Sequence, residues 1–259
     1  MFHRFFPCKR FIMVLCLLAL TCGCAGKTVM ESGRPPDAPK NIPIAIQETD
    51  RIVATAQIEL TTAEGRYPLR AALILQRPSY LRLEMLPVIG TPDLFLTATP
   101  DEMRIFIPSL GEFYTGKPSA ENVARFLPWA LNVEDIVMIL SGAYPVPDGE
   151  NISYERFAEG RLLLTDMKTP SGFLQKVWTM QNGSVAKFIR YGPDGKEAYQ
   201  VQYEDYAPSS PLAETINIQW SDNKMSVSVK YSDWKLEKAT DGSVFELPVP
   251  AGMKSRRLD

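Results

Sequence analysis

Ala54-Thr55-Ala56-Gln57-Ile58-Glu59-Leu60 alternates small or aliphatic residues with polar ones at every step. A period of two marks a strand with one buried face, because successive side chains point to opposite sides of a sheet. The pattern returns after the turn Glu64-Gly65, with Leu69, Ala71, Leu73 and Leu75 on one side. It returns again where Leu81, Leu83 and Met85 interleave with Tyr80, Arg82 and Glu84. Residues 94–98 and 103–107 read as two more strands around the turn Pro100-Asp101, and Phe113-Tyr114 as a short sixth.

The period then changes. Ser119 is a suitable N-cap with Glu121 in the following turn, so 120–127 reads as a helix that Pro128 ends. Asn132 can cap a second helix over 133–140, with Glu134 and Asp135 near its positive end and Gly142 suited to its stop. Adjacent residues on a helix point about 100° apart, so Glu134 and Asp135 do not form a shared acid–base pair. Strands resume over 152–158, 161–166, 173–180, 185–191, 198–206, 213–221 and 224–231. Gly192-Pro193-Asp194-Gly195 and Asp222-Asn223 supply turns, and Phe245 to Pro250 reads as a stiff closing edge segment. The fold class is therefore mainly β (α+β). We expect a strongly curved antiparallel sheet, or incomplete β-barrel, covered by short central helices. Residues 44–259 contain no further boundary and form one domain.

Toward the start of the chain the chemistry differs. Arg4, Lys9 and Arg10 precede an uncharged apolar run, Phe11 to Leu20, that is too short to span a bilayer needing about 20 residues. Residues 1–23 read as a signal peptide. Thr21-Cys22-Gly23-Cys24 follows, and a small residue before cysteine resembles the lipobox of bacterial lipoproteins. Cys24 fits best as the lipidated residue, Cys22 being the rival. Residues 24–43 read as the lipidated N-terminus and a Pro/Gly-rich flexible tether. All four cysteines and the single histidine, His3, lie within the first 24 residues. The body therefore has no disulfide, no Ser-His-Asp or Cys-His pair and no ordinary zinc ligand set. We expect no enzyme, no metal and no cofactor. Without Arg4, Lys9 and Arg10 the chain holds 25 basic against 30 acidic residues, which speaks against nucleic acid as a partner.

Residues 82–145 carry a resemblance. Arg82-Leu83-Glu84-Met85-Leu86-Pro87-Val88-Ile89-Gly90-Thr91 is followed by a strand pair and Phe113-Tyr114. The helical insertion comes next, then Ile139-Leu140-Ser141-Gly142 and Pro145. This resembles LolB-like outer-membrane lipoproteins and the wider LolA/LolB lipoprotein-carrier superfamily. Met225-Ser226-Val227-Ser228-Val229-Lys230 ahead of Trp234 suits the same layout, whereas Phe245 to Gly252 departs from LolB. The resemblance implies a half-barrel with an apolar concave face, helices as a lid, and a protruding loop that inserts into a membrane, here Val88 and Ile89. It implies a monomer held at the outer membrane by its lipid and facing the periplasm. Acyl chains or lipoproteins would be its cargo and a periplasmic LolA-like carrier its partner. Ala25 after Cys24 agrees with forwarding to the outer membrane. Burying a CH₂ is worth about 0.8 kcal/mol, so three chains of roughly 16 carbons cost on the order of 35 kcal/mol to carry bare through water. Such cargo needs a container.

The candidate residues follow. Ala56, Ile58, Leu60, Leu73, Leu75, Leu83, Met85, Ile105 and Ile107 either line an acyl-chain cavity or pack a closed core, since alternation buries the same face in both cases. Trp129, Ile136, Val137 and Leu140 make the inner side of a lid or ordinary helix-on-sheet packing. Val88 and Ile89 form an exposed membrane-touching tip or fold back into the core. Lys254, Arg256 and Arg257 read as a solvated, frayed tail.

Overall fold

The computed structural model describes residues 28–32, 46–129, 131–147, 151–222 and 224–259. The signal peptide, Cys24 and most of the proposed tether lie outside them. Among the described residues, fifteen strands form one sheet. In chain order they are β1 (Thr28–Ser32), β2 (Asp50–Thr62), β3 (Gly65–Gln76), β4 (Tyr80–Met85), β5 (Leu94–Ala98), β6 (Met103–Ile107) and β7 (Glu112–Gly116). After helices α1 (Ala120–Val123) and α2 (Val133–Leu140) come β8 (Ser153–Glu159), β9 (Leu162–Thr169), β10 (Gly172–Thr179) and β11 (Val185–Tyr191). β12 (Glu197–Tyr206), β13 (Ala213–Trp220), β14 (Ser226–Lys238) and β15 (Ser255–Arg257) complete the set.

The spatial order is β1-β8-β9-β10-β11-β12-β13-β14-β2-β3-β4-β5-β6-β7-β15. Each half is a run of hairpins. The long strands β14 and β2 join the halves antiparallel, from Ser226 opposite Thr61 to Lys238 opposite Asp50. The outer strands β1 and β15 do not meet, so the curved sheet stays open. Thr28–Ser32, inside the stretch read as tether, pairs antiparallel with β8.

The alternation works as written. Row after row faces inward: Ala54, Leu73, Leu83, Leu96 and Ile105 stand opposite one another across five neighbouring strands, and all are buried. Ile52, Leu75, Leu81, Ala98 and Met103 form the next row. α2 crosses this face against β3 and β4.

Three sequence expectations change. The first helix ends at Val123, after which Phe126 and Leu127 donate back to the Val123 carbonyl as turns before Pro128. Phe245 to Pro250 is not a sheet edge. A 3₁₀ turn at Ser243–Phe245 starts a strap across the face opposite the helices, where Arg82 donates to the Val244 carbonyl (3.0 Å) and Arg104 to that of Leu247 (3.3 Å). Pro248 and Pro250 lack the N–H groups that a ladder uses. The basic tail is not frayed either: Ser255–Arg257 pairs parallel with β7, and Arg256 meets Glu112 at 2.5 Å.

Candidate functional site

The predicted cavity residues do share one face. Ala56, Ile58, Leu73, Leu75, Leu83 and Ile105 are at most 5% exposed, while Leu60, Met85 and Ile107 are half-buried toward the rim. What covers them is the helical insertion. Trp129, Ile136, Val137 and Leu140 are all buried against the sheet.

The lid is set by local chemistry at both ends. The Asn132 side chain accepts from the Asp135 N–H at 2.7 Å, as the sequence led us to expect. At the other end the last carbonyls of a helix lack partners within it. Two tyrosines of the sheet supply them. Tyr203 donates to the carbonyls of Ile139 and Ala143, and Tyr231 donates to that of Leu140 at 2.7 Å. Gly142, at φ +75°, turns the chain, and Gln175 then holds the Pro145 carbonyl at 3.0 Å. Burial pushes both phenols well above their ordinary range, so they remain protonated donors at any physiological pH.

Of the two arrangements the alternation allows, cavity or packed core, this state has the lid packed into the cup. The remaining space between Leu60, Leu69, Met85 and Trp129 is an apolar pocket of about 10 Å³. That is room for about one water, so an alkyl chain does not fit there in this state. A wider groove of about 590 Å³ touches the same strands at Ile58, Leu69 and Arg70 but lies on their outer side, where Gln57, Glu59 and Lys230 line it on the way to Leu86, Pro87 and Val88.

That groove ends at the predicted tip. The Leu86 N–H donates to the Arg70 carbonyl at 2.8 Å, and the Asp93 N–H to that of Met85 at 2.9 Å. The loop between these clamps carries Val88 and Ile89 at 92% and 91% exposure. The fold-back alternative for Ile89 is therefore wrong.

Sequence reasoning missed the polar groups under the lid: Tyr203, Tyr231, Gln175, Arg190 and Tyr199. A trace was present, since Tyr199-Gln200-Val201-Gln202-Tyr203 puts two phenols in phase with Val201 on the inward side.

Three solved structures share this architecture. One is a domain from Vibrio parahaemolyticus assigned to outer membrane lipoprotein sorting, with TM-score 0.56 and 15% identity over 81% of this chain and 97% of that one. Another is a LolA superfamily protein from Nitrosomonas europaea, with TM-score 0.53 and 11% identity over 78% and 92%. The fold is LolA-like. A DUF1329 family protein from Desulfovibrio piger matches as well, with TM-score 0.58 and 10% identity over 79% and 92%. No family model and no curated protein sequence matches the chain. At these identities the likeness concerns the fold.

Proposed function

We propose that this chain is a non-enzymatic, lipid-anchored envelope protein that shelters the acyl chains of lipoproteins. In this reading Cys24 carries the lipid, the domain faces the periplasm from the outer membrane, and the protein receives cargo from a LolA-like carrier as LolB-like receptors do. One observation carries the proposal: a bare Val88–Ile89 tip projects from the loop that follows Met85, a residue of the apolar face, in a LolA-like fold. Leaving two such side chains in water forgoes about 1.5–3 kcal/mol each, which contact with a bilayer or acyl chain would recover. Cargo enters when α2 swings out, and hydrocarbon replaces Ile136, Val137 and Leu140 on the same wall. That exchange is apolar for apolar, so the lid's tyrosine hydrogen bonds dominate its cost.

The protein purified from membranes should carry fatty acid or lipoprotein cargo detectable by mass spectrometry. Its depletion should leave lipoproteins at the inner membrane. Normal sorting in depleted cells, together with cargo-free protein, refutes the role. A second reading has its own observation in the filled interior: an assembly or tethering lipoprotein of the same fold with no lipid-transfer step. It expects cargo-free protein and normal sorting.

A further inference from the structure

The wall of the cup is not uniform. On the β2–β6 side it is aliphatic. On the other side Gln175 of β10, Arg190 of β11 and Tyr199 of β12 stand opposite one another on adjacent strands. They face inward with Val177, Phe188 and Val201. Gln175 is fully buried. Its amide nitrogen holds the Pro145 carbonyl of the lid segment, and its amide oxygen accepts from Arg190 at 3.2 Å. Arg190, half-buried, has no other hydrogen bond among the described residues, so its other donors are not committed to protein acceptors there. The Tyr199 hydroxyl is buried without a hydrogen-bond partner among the described residues, in a residue only 6% exposed. Asp135, on the first turn of α2, interacts electrostatically with both but hydrogen-bonds to neither.

A buried donor without an acceptor costs about 1–3 kcal/mol, so the Tyr199 hydroxyl leaves this cluster an incomplete site in the closed state. When α2 leaves, Asp135 and the Pro145 carbonyl leave with it. A guanidinium, a primary amide and a phenol then face the cup together. That set matches a carboxylate or phosphate, which a guanidinium binds in planar, charge-assisted fashion. The next inward row runs Val201, Ile218, Val227 and Leu60 across β12, β13, β14 and β2. It spans three strand spacings, about 14 Å, and ends at the apolar pocket beside the tip. We propose that Arg190, Gln175 and Tyr199 bind the anionic head of an amphiphile whose hydrocarbon lies along this row, with the lid's Asp135 standing near that position in the closed state. The inference rests on the acyl-carrier reading and names the cargo's head as anionic.

Calorimetry on the purified chain tests it with palmitate, 1-palmitoylglycerol phosphate, uncharged monopalmitin and inorganic phosphate. At least one of the two anionic lipids should bind about tenfold more tightly than monopalmitin, the worth of one charge-assisted hydrogen bond. Arg190→Gln should erase that difference and leave monopalmitin unchanged. Tyr199→Phe, which keeps the ring, should reduce it and serves alone if Arg190→Gln fails to fold. Equal binding of all three lipids, or variants that keep the preference, overturns the headgroup site and leaves the carrier reading standing. Inorganic phosphate binding as tightly as the anionic lipids also overturns it, since the site would then take a free anion. Failure of every lipid to bind removes the carrier reading itself, and this inference with it.

Discussion

Tyr203 and Tyr231 are each surrounded by hydrocarbon, yet their hydroxyls hold the last turn of α2. Removing either leaves a buried carbonyl short of a partner. Tyr203→Phe and Tyr231→Phe should each cost about 1–3 kcal/mol in denaturant unfolding, because the Ile139 carbonyl keeps the Gly142 N–H and each change strands one carbonyl, that of Ala143 or Leu140. Amides of 133–143 should exchange faster in both variants. Asp135 gives a pH dependence. Burial holds its carboxyl above the ordinary value, with Glu134 adding to the effect and Arg190 opposing it. The folded chain then binds that proton more tightly than the unfolded chain. Its contribution is therefore fully present below about pH 4 and is lost as pH rises through the folded value. Asp135→Asn should flatten that part of a stability-versus-pH curve; an unchanged slope would show that other groups set it. At this scale alternation revealed which side chains point inward but not what they meet. Leu73 under a lid and Leu73 beside a void read identically, and a phenol's acceptor 60 or more residues away leaves no trace in local sequence.

α2 has eight residues, fewer than the roughly 12–15 at which an isolated helix becomes even marginally stable. Docking on β3 and β4 therefore supports it, as does its Asn132 cap. This element was legible to the residue because cap, acidic first turn and stop signal coincide. The C-terminal strap was not. Its carbonyls at Val244, Glu246 and Leu247 are held by Arg82 and Arg104, 143–164 residues distant in the chain, and the three-residue parallel pairing that follows it has no period. The 86–93 loop was legible only as a choice between buried and exposed, and its clamps at Arg70 and Met85 decide it. Because Val88 and Ile89 touch little protein, replacing both with serine should change stability by no more than about 0.5 kcal/mol. The same variant should lose association with lipid vesicles in a flotation assay. A large fall in stability would mean that the tip is packed in solution, and undiminished flotation would remove its membrane role.

As a whole the molecule is a sheet whose two halves differ in inner chemistry and meet along β14 and β2. The aliphatic half needs a cover, and the chain supplies its own from the segment linking the halves. A cover with covalent connections at both ends can leave only by swinging, so uptake of hydrocarbon and displacement of α2 are one event. That coupling can be tested by locking the lid. The chain has no cysteine after Cys24, so a cysteine pair placed on α2 and β4 would form a unique cross-link. With the disulfide formed, the closed state should melt at higher temperature, because the cross-link restricts the unfolded chain. Uptake of a fluorescent fatty acid should disappear and return on reduction. Uptake that persists in the locked protein would place the ligand outside the cup, for example in the groove leading to Val88, and the lid would then be a fixed part of the core.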